Sequence, residues 1–291
     1  MTPTIAIRED SFEASTASSA QHLCLEMGRD RFRFCVVDPS TRTCFWLEDY
    51  TFPSLLTENL LLPSLQSIYQ DHPVLQNGFW KSVTVSVNSP AFTLVPSRLY
   101  RKEYASHYLQ LMRGSALPSS EHALAFVHAR EGFHSVFTIE NALTDWLAAT
   151  YPLQQIRLIH QSSALLQASA ALDASLPEQQ NLYLYFEEEN VTIIYRRNRA
   201  LRFCNRFAFK NTNDLVYYIL YVIHELKTDP KQIQAVLLGE ITPFAETYGA
   251  LERFLPRMSF GATLPGLQLT PAFEDVPEHR YLSLMGNTIV E

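Results

Sequence analysis

Glycine is scarce in this sequence, with nine residues in 291. Phosphate-binding loops use glycine to bring backbone amides close to an anion. The patterns GxxxxGK[ST], GxGxxG and GxSxG are all absent, which argues against a P-loop, a dinucleotide fingerprint and a nucleophile elbow. Cysteine is also rare. Cys24, Cys35, Cys44 and Cys204 show neither CxxC nor metal-ligand spacing, so they read as buried free thiols of a reducing cytoplasm. No uninterrupted apolar run approaches the roughly 18 residues that a membrane span needs. Residues Met1–Gln21 carry Glu and Asp and no apolar core, so no signal peptide is expected and the location expected is cytoplasmic. Positive charge is in deficit: 23 Lys and Arg against 30 Asp and Glu, a net −7. That balance argues against a general nucleic-acid binder.

Apolar residues are plentiful, at 47%, so a sizeable core is available and global disorder is excluded. The length suits two domains of ordinary size. The most legible stretch is Asn181–Lys210. Leu182–Phe186, Val191–Tyr195 and Leu201–Phe207 are β-rich runs separated by the polar turns Glu187–Asn190 and Arg196–Arg199, the pattern of a three-stranded antiparallel meander. A helix follows, expected to be capped by Thr212 or Asn213. Its Leu215, Tyr218, Ile219, Val222, Ile223 and Leu226 form one apolar stripe. Asp229-Pro230 stops it, and Ile233–Leu238 is the next strand. Helices are expected over Phe244–Phe254 and Tyr281–Val290, with a short strand at Met258–Phe260.

The same order occurs earlier. A meander over His22–Tyr50 turns at Gly28-Arg29-Asp30 and at Asp38-Pro39-Ser40. The spacing predicts a helix over Ser54–His72, in which Pro63 either kinks the helix or marks its first turn. Strands are expected at Ser82–Val87, Ala91–Val95, Ala123–Val127, Ser135–Ile139 and Ile156–Ile159, and helices at Lys102–Met112, Glu140–Ala149 and Gln161–Leu172. Thr4–Ile7 reads as a short edge strand and the rest of Met1–Ala20 as loose.

Meander, helix and strand in tandem, each set about 50–60 residues long, make two ribonuclease-H-like units. With the opening hairpin Leu25-Glu26-Met27-Gly28, the segment Ile159-His160-Gln161 and the strand end Leu238-Gly239-Glu240, the chain resembles a little-characterised bacterial family with an actin-like ATPase fold. It is similar in element order to the actin relatives of pilus assembly and cell division. The fold class expected is mixed α/β, with two lobes over residues 1–160 and 161–291 facing a central cleft and the closing helix packing back on the first lobe.

The resemblance implies a nucleotide between two hairpin turns, each carrying an acid and a glycine. Glu26, Gly28 and Arg29 stand where the first would be. The second turn, with Glu187 and Glu189, has three carboxylates in Glu187–Glu189 and no glycine, and two like charges about 4 Å apart cost on the order of 4 kcal/mol at a surface-like dielectric. The adenosine-side turn is Gly239-Glu240, with one glycine where a pair is usual. The resemblance therefore implies a catalytically degenerate scaffold without a cofactor, with an ATP- and Mg-dependent ATPase or phosphotransferase as the alternative. Tyr217 and Tyr221, one turn apart on the second-half helix, together with Arg197 and Arg199, are the candidate protein interface, for a protein partner or a second copy. His122, His128 and His134 recur at six-residue spacing without acidic or cysteine company and read as surface or strand-edge residues. Ser162 and Ser163 beside His160 read as a helix N-cap. Glu187–Glu189 reads as a solvated turn rather than an acid/base pair.

Overall fold

The computed structural model describes residues 1–9, 20–52, 61–76 and 79–290. The chain divides into two compact units. Unit 1 is Met1–Ala164 with Gly266–Asp275 and Ser283–Glu291, and unit 2 is Leu165–Pro265 with Val276–Leu282.

In unit 1 the first meander forms as read: β2 (His22–Met27), β3 (Arg31–Asp38) and β4 (Thr43–Thr51) pair antiparallel. β1 (Ile5–Arg8) closes the edge on β4. On the other side β2 pairs parallel with β5 (Ser82–Val87), and β5 pairs parallel with β9 (Ile156–His160). Both faces of this sheet are buried: Leu23, Leu25, Phe32, Phe34 and Val36 on one, Cys24, Cys35, Glu26 and Arg33 on the other. The helix α1 (Leu61–Asp71) contains Pro63. The part of the expected helix over residues 54–60 lies outside the described residues.

Between β5 and β9 the chain builds a second sheet. β6 (Phe92–Pro96), β7 (Glu121–His128) and β8 (Phe133–Glu140) pair antiparallel in the order β6-β8-β7, with α2 (Ala105–Arg113) packed against all three. α3 (Asn141–Thr150) then leads to β9. The helix α4 (Gln161–Ser175) follows, its first turn in unit 1 and the rest in unit 2.

Unit 2 repeats the order without that insertion. β10 (Gln180–Phe186), β11 (Asn190–Arg197) and β12 (Ala200–Ala208) are the meander, α5 (Thr212–Glu225) the helix and β13 (Gln234–Gly239) the parallel fourth strand. A short α6 (Glu246–Glu252) precedes the fifth, β14 (Met258–Phe260). The spatial order β12-β11-β10-β13-β14 matches β4-β3-β2-β5-β9 of unit 1 strand for strand. The apolar stripe of α5, with Leu215, Ile219, Val222 and Ile223, packs on Leu182, Leu184, Ile193 and Leu237. Burying those four helix side chains stabilises by about 6–12 kcal/mol before entropy is counted.

Several boundaries differ from the sequence reading. The α5 cap is Asn211, whose Oδ1 accepts the Asp214 amide at 3.0 Å, because Thr212 and Asn213 already lie within or at the helical turn. α6 is shorter than Phe244–Phe254, and Phe244 is 96% exposed ahead of it. β15 (Gln268–Leu269) adds to the β4 edge, and α7 (Leu282–Gly286) passes into a 3₁₀ turn over Asn287–Ile289 rather than continuing as one helix. Asn287 Nδ2 ties that turn into unit 1, donating to Leu25 O at 3.2 Å and Ser86 Oγ at 2.9 Å.

Candidate functional site

The first hairpin turn leaves β2 at Met27 and re-enters the sheet at Arg31. Glu26 is the last acid before it, but its side chain points into the sheet. It is buried, and Arg33, directly opposite on β3, donates Nη1 to Oε1 at 3.0 Å. Arg33 Nε lies 3.3 Å from Asp49 on β4, and Asp49 also takes Arg31 Nε at 3.0 Å. Glu26 thus begins a charge ladder across three strands. Pairing of this kind is what makes buried carboxylates tolerable.

Gly28 donates its amide to Arg31 O at 2.8 Å, and the nearest atom to a Cβ built on it is 3.6 Å away. Neither backbone angle nor space requires glycine there. Gly28 and the exposed Arg29 border a pocket of ≈ 360 Å³ within unit 1, whose polar lining includes Asn88, Ser89, Glu121 and Glu140. Those four come from the turn after β5 and from the inserted sheet. Nothing in the sequence signals that the inserted strands return to the turn after β5.

Unit 2 gathers the other four candidates around its own hairpin turn. Glu187 donates its amide to Asn190 O at 2.8 Å, and its carboxylate meets Arg206 Nη2 at 3.2 Å. Glu189 is exposed. Gly239 has φ +80, and a Cβ there would stand 2.3 Å from Phe186 O, so only glycine fits the close pass of β13 along β10. Its amide donates to His279 O at 2.9 Å, and that of Glu240 to Phe186 O at 2.9 Å. Glu187, Glu188 and Glu240 border a second pocket, of ≈ 330 Å³.

Among the described residues no group of three or more His, Cys, Asp or Glu is placed to hold a metal. His122 Nδ1 pairs with Asn141 Oδ1 at 2.7 Å, and His134 stacks on Tyr100 with ring centroids 4.0 Å apart. His128 Nε2 lies 3.0 Å from Ser163 Oγ, but both side chains are buried and His128 stacks on Phe133. Burial, helped by nearby His134, pulls the His128 imidazole down to about 4. At the start of α4 the cap is not a serine. The His160 Nδ1 accepts the Ser162 amide at 3.1 Å, while Nε2 faces Ser89 O at 3.0 Å. Cys24, Cys35 and Cys44 are buried on three neighbouring strands and Cys204 is half-buried, all as free thiols.

On α5, Tyr217 and Tyr221 stack with centroids 6.0 Å apart and are 62% and 50% exposed. Arg197 and Arg199 sit at the β11–β12 turn, both exposed. Arg197 shares a pocket with Tyr195, Asn198, Leu226 and Arg202. Arg202 follows on β12, at the point where the register of β11 against β12 shifts.

Residues 9–258 match the family described as "Protein of unknown function (DUF3822)". The chain belongs to this family. No curated protein matches it significantly. Among solved structures, a Bacteroides thetaiotaomicron VPI-5482 protein with actin-like ATPase fold and unknown function is 18% identical, with TM-score 0.78 over 97% of this chain and 100% of that one. PilM of the PilM–PilN type IV pilus biogenesis complex is 11% identical, with TM-score 0.62 over 93% and 98% of the two chains. At these identities the likeness establishes the fold of this family member, which is that of the actin-like ATPases, built from two ribonuclease-H-like units. No helix among the described residues is long and apolar enough to cross a membrane.

Proposed function

We propose that this family member is a non-enzymatic interaction module: an actin-like fold that docks a protein partner or a second copy of itself and does not turn over nucleotide. The observation that carries the reading is the state of the turn amides. Those of Gly28, Glu187, Gly239 and Glu240 each donate to a carbonyl of the chain at 2.8–2.9 Å, so they offer no cradle to a phosphate. The acid of the first turn, Glu26, is engaged by Arg33. Glu188 and Glu189 meanwhile add exposed negative charge at the second turn. This donor set does not fit a triphosphate. The exposed tyrosine pair of α5 and the arginines of the β11–β12 turn have the composition of a partner-facing surface. A structural relative was captured in a protein complex, PilM with PilN, which is in keeping with it.

Isothermal titration with Mg-ATP tests the reading. No heat at millimolar nucleotide is expected. Binding at about 100 μM or tighter, lost in Gly28→Ala, would overturn it in favour of a Mg-nucleotide-dependent ATPase or phosphotransferase. The alanine is a clean probe because the fold has room for it.

A further inference from the structure

The β11–β12 hairpin concentrates charge of one sign in a chain that carries the other. Residues 196–206 hold five arginines and no acid, against a net charge of −7 for the whole. Two of the five have carboxylate partners: Arg196 faces Asp173 at 3.9 Å, and Arg206 faces Glu187. Arg197, Arg199 and Arg202 form no ion pair among the described residues, and all three are exposed. Of the acids flanking Leu226 in sequence, Glu225 lies beside His224 and Asp229 accepts the Lys231 amide.

Two of these arginines, Arg197 and Arg202, border a concavity. Arg197, Asn198 and Arg202 line a pocket of ≈ 420 Å³ with Tyr195 and Leu226. The register of β11 against β12 shifts between Tyr195 and Arg196, leaving Arg202 without a pairing partner on β11. The two-residue turn has positive φ at Asn198 (52°) and Arg199 (63°). That is the geometry for which glycine is strongly preferred at the second position, so Arg199 is held in a backbone conformation that its side chain disfavours. The Arg196 Nη2 donates to Arg199 O at 3.0 Å and holds the turn. Lys227, also left-handed at φ 52°, ends α5 beside Leu226.

A helix C-terminus attracts cations by itself, which would account for the arginines without a ligand. The end of α5 is, however, closed by its own backbone. Lys227 N donates to His224 O at 2.9 Å and Thr228 N to Ile223 O at 3.3 Å, a Schellman arrangement. Its terminal carbonyls are thus met without the arginines.

We infer that this pocket is a docking site for an acidic segment of a partner protein, with Arg197 and Arg202 as paired guanidinium forks for its carboxylates and Arg199 as a third contact. Planar guanidinium matches carboxylate bidentately, and the polarity is complementary to an acidic peptide, whereas this chain's own net charge repels a long polyanion at a distance. The inference deepens the partner-binding reading and rests on it for its biological sense, although the site stands or falls separately.

The test uses the full chain and a Glu/Asp-rich, unphosphorylated peptide of about a dozen residues, titrated at low salt, about 50 mM. The expected result is binding at about 100 μM or tighter, at least tenfold weaker in Arg197→Glu/Arg202→Glu and weakened by added salt. A second variant, Arg199→Gly, is expected to raise the melting temperature while lowering affinity, a combination that a merely structural role would not give. No peptide binding, equal binding of the Gln/Asn analogue, no effect of the double variant, or tighter binding of a single-stranded oligonucleotide would each overturn the assignment. A null peptide titration with a null Mg-ATP titration removes this site and leaves the interaction-module reading standing. Peptide binding alongside tight Mg-ATP binding does the reverse.

Discussion

The imidazole of His72 lies 2.9 Å from Glu48 through Nε2, while its Nδ1 accepts the amides of Val74 and Leu75, each at 3.2 Å. Two amides on Nδ1 place the ring's proton on Nε2, so His72 is the donor and Glu48 the acceptor. Glu48 also receives Trp46 Nε1 at 2.9 Å, Tyr50 Oη at 2.5 Å and the Arg8 guanidinium. One fully buried carboxylate thereby joins β1, β4 and the end of α1.

Burial pushes the Glu48 carboxyl up, but the hydrogen bonds from His72, Tyr50 and Arg8 outweigh it and hold the group below its usual range. A depressed carboxylate contributes stability above its unfolded value of about 4.3 and loses it as pH falls further. Glu48→Gln removes the charge but keeps the volume. Urea titrations at neutral pH are expected to show a loss of about 3–5 kcal/mol, and the variant's stability should fall less steeply than the wild type's below about pH 4.3.

His128 gives a slope in a different window. Its folded value is about 4 against about 6.5 unfolded. Between those values the unfolded chain binds the extra proton, so stability rises with pH there and is complete above about 6.5. The wild type is expected to lose up to about 3 kcal/mol on going from pH 7 to 4 through this group. His128→Gln should flatten that part of the profile while leaving the region below pH 4 unchanged.

Gly239 and Gly28 should respond oppositely to alanine. At Gly239 the added methyl meets Phe186 O at 2.3 Å with φ +80, whereas at Gly28 it meets nothing within 3.5 Å. Gly239→Ala is expected to destabilise unit 2 by at least about 2 kcal/mol, and Gly28→Ala to stay within about 0.5 kcal/mol of wild type. Paired thermal melts read both.

Gly286 lets α7 approach the start of α4, since a Cβ there would stand 2.4 Å from Ala164 O. Gly286→Ala must push the C-terminal turn outward, away from the Asn287 contacts with Leu25 and Ser86. The cost expected is about 1–3 kcal/mol. Hydrogen exchange should quicken in peptides covering β2, β5 and the last turn before it changes in unit 2.

Much of the fold was legible because its signals are local. The Asp38-Pro39-Ser40 turn works through Asp38 Oδ1 accepting the Ser40 amide at 2.7 Å, a bond within three residues. The α5 cap is equally local, Asn211 Oδ1 accepting the amide of Asp214 three residues on. The inserted sheet was not legible as a separate sheet. Phe92–Pro96, Glu121–His128 and Phe133–Glu140 alternate like any strands, and nothing in a strand's own residues names its neighbour.

The candidate positions followed the same division. Tyr217 and Tyr221 could be placed on the outer side of α5 from helical period alone, and they are exposed there. The engagement of Glu26 by Arg33, the turning of Arg202 into a pocket with Arg197, and the capping of α4 by a histidine could not be read that way. Each depends on which strand or turn lies alongside, set by register, bulge and packing.

By itself, then, the sequence determined two meander–helix–strand sets, the buried stripe of α5 and the glycine-poor, acid-rich turns, since periodicity and turn chemistry act over a few residues. Tertiary structure alone decided that unit 1 carries a second sheet, that the turn amides are already engaged, and that Arg197 and Arg202 border one hollow. Those outcomes depend on contacts between residues distant in the chain, whose pairing is fixed only when the whole core packs.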